Sequence, residues 1–91
     1  MDNRMDDRIE EIRKKIGVCD DIIIKQLVDR MECIQEIIAY KKQNGIPILQ
    51  PEQEKKQEDN LKRKLGDNPF EEEILDIFKY IVKNSRRIQA K

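Results

Sequence analysis

The stretch Gln26–Pro47, QLVDRMECIQEIIAYKKQNGIP, decides how this chain is read. At about 100° per residue, Leu27, Ile34 and Ile37 fall on one face of a helix. Arg30 and Lys41 fall on that same face. A charge on an apolar stripe is an accident of register, a cation that reaches water along its stem or pairs with a carboxylate, or part of a site. The pattern stops at Asn44-Gly45, which predicts a left-handed cap, and Pro47 stands just beyond.

Followed back toward the N-terminus, the stripe continues through Ile23, Cys19, Ile16, Ile12 and Ile9 at three- and four-residue spacing. All these positions share roughly an 80° arc. No proline interrupts them, so one helix is expected over about 4–42, close to 60 Å long at about 1.5 Å per residue. Gly17 is its weak point, worth about 1 kcal/mol against alanine. Arg13 lies on the edge of the stripe, where a side chain is ordinarily solvated.

Followed forward, Pro51 fits the first turn of a second helix, over 51–65, where its missing N–H is no loss. Gly66-Asp67-Asn68-Pro69 breaks that helix. Phe70 to Gln89 predicts a third, over 70–89, with Glu71, Glu72 and Glu73 near its start and Arg86 and Arg87 near its end, as the helix dipole favours. Its apolar face carries Phe70, Ile74, Ile77, Phe78, Ile81 and Ile88. No strand signal and no repeat is present, so the expected class is all-α, with one long and two shorter helices in a single domain over 1–91.

Two helices of about 20 and 30 Å can line a helix of about 60 Å but cannot wrap it. A second copy of the chain can. The expected architecture is therefore an intertwined helical homodimer in which the long helices pair and both chains share cavities. Composition agrees: of 91 residues, 37% are hydrophobic, 42% charged and 4% aromatic, and so small and polar a monomer has a thin core. With 19 basic and 19 acidic residues, the chain has no global positive field, which argues against nucleic acid as a partner.

No apolar run approaches the roughly 18 residues that cross a bilayer, and the acidic start Met1-Asp2-Asn3-Arg4-Met5-Asp6-Asp7 lacks an apolar signal core. A cytoplasmic location and no membrane partner are expected. The two cysteines, Cys19 and Cys33, stand about 21 Å apart along one helix and cannot bridge within it. They read as buried or half-buried thiols in a reducing compartment. With no histidine and no CxxC, a zinc site is not expected.

The remaining interest lies in polar residues on apolar stripes. The second helix is poor in apolar side chains, and the row through Leu65 and Leu61 extends back to Glu58 and Glu54. On the third helix, Ser85 and Gln89 lie on or beside the apolar face. Each has an ordinary explanation: Lys41 and Glu54 serve helix dipoles, and Ser85 bonds its own backbone. Taken together they are costly, because buried charge must be paired. Two or three cations, one carboxylate and an amide in one cavity would be satisfied by a small anionic ligand.

Without histidine there is no Ser-His or Cys-His pairing, and there is neither a glycine-rich phosphate loop nor an acidic metal cluster of convincing spacing. An enzyme built from these residues needs no cofactor and little proton transfer. It works by positioning and electrostatic stabilisation.

These residues carry a family resemblance over nearly the whole chain. The segments IEEIRKKI around Arg13, LVDRMECIQEIIAYKKQNGIPI around Arg30 and Lys41, QPEQE around Glu54, and IVKNSRRIQ around Ser85 and Gln89 resemble the all-helical (AroQ-class) chorismate mutases. Arg30-x10-Lys41 followed by Lys-x-x-Gly-x-Pro is the most specific part. The resemblance implies a homodimer of three-helix chains that converts chorismate, a dicarboxylate, to prephenate by an intramolecular [3,3] rearrangement, on the route to phenylalanine and tyrosine. It implies that Arg30 holds one substrate carboxylate and that Arg13 reaches into the partner's site to bind a carboxylate there. Lys41 would contact a carboxylate and the breaking ether oxygen, and Gln89 the same oxygen. Ser85 would assist carboxylate binding, while Glu54 would bind the ring hydroxyl and orient Lys41.

Two positions depart from the family pattern. Where it usually reads Asp-Pro-x-Arg-Glu, this chain reads Gln50-Pro51-Glu52-Gln53-Glu54. Gln50 keeps an acceptor in its amide oxygen, but Gln53 supplies no guanidinium. Weaker substrate binding or a shifted substrate preference is expected. Two other readings stand beside the mutase: an isochorismate pyruvate lyase of the same fold, and a non-catalytic helical dimerisation or regulatory module. In the module, Arg30 and Lys41 would pair with Glu54 in the free protein.

Overall fold

The computed structural model describes residues 4–48 and 50–90, and side chains from Asp6 onward. The acidic start at Met1-Asp2-Asn3 lies outside the described residues. Three helices follow in order: α1 (Arg4–Asn44), α2 (Pro51–Leu65) and α3 (Glu71–Gln89). No strand occurs among the described residues. The chain is all-α, as its periodicities require.

The backbone divides into two units, Met1–Glu32 and Cys33–Lys91, with α1 running through both. In the first unit the described residues are all helix. Its stripe is open to solvent: Ile9 is 46% exposed, Ile12 42%, Ile16 54% and Ile23 53%. Cys19 is exposed as well, and so is Cys33 in the second unit. The expectation of buried or half-buried thiols is therefore corrected for the single chain. The spacing put Cys19 on an apolar stripe, but the described residues of the first unit form no other element to cover that stripe.

The second unit begins with the last turns of α1. The helix continues two residues past the expected end and stops at Gly45, whose φ is 64°. Only glycine adopts that conformation freely. The amide of Ile46 donates to the carbonyl of Lys41 at 2.9 Å, closing the wide loop of a Schellman cap. Pro51 occupies the first turn of α2, and Gly66, with φ 53°, ends α2 by donating its N–H to the Lys62 carbonyl at 3.0 Å.

α3 starts one residue later than the periodicity predicts. Phe70 is its N-cap, and its amide donates to Asn68 Oδ1 at 2.8 Å. α2 and α3 pack on each other. Leu61 and Leu65 of α2, and Ile74, Phe78, Ile81 and Ile88 of α3, are half-buried. Ile34, 8% exposed, is the one buried apolar side chain among the described residues. No helix among them is long and apolar enough to cross a membrane.

Candidate active site

In the first unit, Arg13 stands on the surface of α1. Its Nη1 donates to Glu10 Oε1, one turn back, at 2.9 Å, and its side chain is 69% exposed. Such a pair is worth at most a few tenths of a kcal/mol, because water competes for both partners. The guanidinium is thus held loosely. Arg30, near the end of the same unit, is half-buried and engaged by a neighbour. The stripe position that made it conspicuous does keep it partly out of water.

The second unit holds the other candidates. Lys41 is half-buried. Its Nζ donates to the carbonyl of Ile48 at 2.9 Å, so the ammonium lies against the loop that leads into α2 rather than out in solvent. Gln50 is the N-cap of α2 and makes no side-chain cap bond. Its carbonyl accepts from the amide of Gln53 at 2.9 Å, which leaves its side-chain amide out of the capping geometry. Gln50 and Gln53 are both exposed.

Glu54 is the half-buried acid of the first turn of α2. Its two carboxylate oxygens accept from Nε and Nη2 of Arg86 on α3. That is the fork-to-fork geometry in which guanidinium and carboxylate planes align. The Glu54 carboxylate thus goes to Arg86, a partner the sequence reading did not name. The helix-dipole role read for Arg86 missed this contact. The partner stands on another helix, where local periodicity carries no signal.

Ser85, beside Arg86, is 6% exposed and is the one buried polar side chain among the described residues. Its Oγ donates to the Ile81 carbonyl one turn back at 2.9 Å, the backbone bond expected of a serine on a packed helix. Gln89, half-buried, is the last residue of α3. The packing of α2 on α3 thus brings Glu54 together with Arg86, the residue after Ser85. Gln89 lies one helical turn beyond Ser85, on the same side of α3.

Comparison with known proteins now defines the class. The family model described as chorismate mutase type II matches residues 12–90. The chain therefore belongs to the chorismate mutase type II family, and its activity is that of a chorismate mutase, an isomerase. A chorismate mutase of Methanocaldococcus jannaschii is 31% identical over 86 residues, which cover 93% of this chain and 87% of that protein. No solved structure matches the chain significantly.

Proposed function

We infer that the chain converts chorismate to prephenate within a site built from two copies of itself, all of 1–91 acting as one domain in the dimer. One observation carries the shared site. The stripe of α1 is regular enough to be a packing face, yet Ile9, Ile12, Ile16 and Ile23 are each between 42% and 54% exposed in one copy. Fully burying an isoleucine is worth about 1.5–3 kcal/mol. Four half-exposed isoleucines in each chain leave several kcal/mol unrealised until a second copy covers them.

In that dimer Arg13 enters the partner's site and binds one carboxylate, and Arg30 binds the other. Lys41 bridges a carboxylate and the ether oxygen, and Gln89 donates to the same oxygen. Ser85 supports the carboxylate, while Glu54 takes the ring hydroxyl and orients Lys41, with Gln50 offering a further acceptor. As the C–O bond stretches, negative charge grows on the ether oxygen, and fixed donors there stabilise the transition state more than the ground state. Holding the substrate's side chain over its ring supplies the orientational part. No proton is transferred and no covalent intermediate forms. The reaction takes place in the cytoplasm, where the exposed thiols Cys19 and Cys33 stay reduced.

The test is product identification. Purified protein consumes chorismate and yields prephenate, identified as phenylpyruvate after acid treatment. Salicylate and pyruvate from isochorismate would instead make it a lyase, and no turnover of either would leave a binding module. Lys41→Ala lowers kcat/KM at least about a hundredfold, since one such donor is worth about 3–4 kcal/mol. Near-normal turnover in that variant would remove Lys41 from the mechanism.

A further inference from the structure

The Glu54–Arg86 pair calls for a reason beyond stability. The Arg86 side chain is 59% exposed and that of Glu54 29%. A pair so open to water contributes roughly 0–1 kcal/mol to folding, even before salt screens it. Its geometry is nevertheless the most demanding one available to these two residue types. Two nitrogens of a planar fork meet both oxygens of one carboxylate, and this fixes the plane of the carboxylate as well as its position.

The location gives the reason. Glu54 is the site's one carboxylate, and it must accept a hydroxyl while a doubly negative substrate lies beside it. An uncompensated anion there would repel the substrate. A freely rotating one would spend orientational entropy each time it bound the hydroxyl. The chain carries no guanidinium at Gln53, one residue before Glu54. Arg86 brings one to the same turn from α3, and it follows Ser85, the buried hydroxyl of the site.

We propose that Arg86 is a positioning residue of the active site, holding the Glu54 carboxylate in plane and neutralising it, and so restoring from α3 the positive charge that Gln53 does not supply. It acts through Glu54 and touches no substrate atom. The inference rests on the placement of Glu54 in the site as read above.

Steady-state kinetics with chorismate test it, using the full-length dimer. Arg86→Ala raises KM about tenfold and changes kcat by less than about threefold, while the circular-dichroism spectrum and Tm stay near those of wild type, because a solvent-exposed ion pair adds little to folding. Arg86→Lys, which keeps the charge and loses the fork, recovers part of the loss, to about threefold above wild type. In a Glu54→Ala background, Arg86→Ala changes kcat/KM by less than about twofold, because the group it serves is gone. A normal KM in Arg86→Ala overturns the proposal and leaves the mutase reading intact. Full additivity of the two substitutions overturns it too, since Arg86 would then act without Glu54. A wild-type protein that converts no chorismate removes the mutase reading and this inference with it.

Discussion

The apolar faces of α1 and α3 obey the same spacing rule and end in different surroundings. On α3, Ile74, Phe78, Ile81 and Ile88 are half-buried, with Leu61 and Leu65 of the packed α2 half-buried as well. On α1, Ile9, Ile12, Ile16 and Ile23 keep about half their surface in water, because the described residues of their unit form that helix alone. Periodicity reports that a face is meant to be covered. It does not report whether the cover is in the same chain. Where it is, the structure of one copy displays it, and where it is not, the stripe stays open in one copy, which is what the proposed dimer accounts for.

The comparison breaks most directly at Ile16. In the proposed dimer, Ile16→Asp places a charge in the seam of both chains, and an uncompensated buried charge costs about 3–5 kcal/mol. Its dimer should dissociate at concentrations at least about a hundredfold above wild type, and activity should fall with it. Val18→Asp is the control. Val18 is 59% exposed and lies on the opposite side of α1, so its substitution should stay within about 0.5 kcal/mol of wild type. Analytical ultracentrifugation decides between them. Equal behaviour of the two variants would mean that the stripe is not a seam.

The proposed division of the site between chains gives the next test. Arg13→Ala and Lys41→Ala chains should each be nearly inactive alone. Mixed and allowed to exchange, half of the dimers contain one chain of each kind, and each mixed dimer has one intact and one doubly defective site. About a quarter of wild-type activity should return, as a two-fold shared site requires. If Arg13 served the site of its own chain, mixing would restore nothing. A smaller effect is expected at Gln53, where Gln53→Arg adds a cation beside a dianion and should lower KM about threefold at low salt and less at high salt. An unchanged KM would show that position 53 lies outside the reach of the substrate.

How much of this was legible beforehand follows from the range of each interaction. The three helices, the Gly45 cap and the proline start of α2 came from neighbours within a few residues. Such signals survive folding almost unchanged. The start of α3 differs by one residue because periodicity does not tell the capping residue, Phe70, from the first helical one. Lys41 and Ser85 were conspicuous because polarity on an apolar stripe is itself local. The role of Arg86 was not legible: its partner lies 32 residues away, and nothing in either helix alone indicates the match. The exposure of Cys19 was misjudged because a stripe position implies burial only if its cover is present; Cys33 stands off the stripe, and its burial was read from residue type alone.

The smallest effect sharpens the comparison further. Gly17 sits inside α1, off the stripe, and a Cβ added there meets nothing within 4 Å. Its backbone is helical, so Gly17→Ala needs no change of conformation and removes only freedom from the unfolded chain. The expected gain is about 0.5–1 kcal/mol per chain, a rise in Tm of a few degrees for a domain of this size. Gly45→Ala adds the same methyl group in equally open space, but at φ +64°, and should cost about 1–2 kcal/mol. The two substitutions therefore move Tm in opposite directions, although neither creates a contact in one copy. A fall in Tm for Gly17→Ala would show that the partner chain approaches α1 outside the apolar arc, at a point where only a hydrogen atom fits. The interface would then be wider than the stripe of isoleucines that announces it.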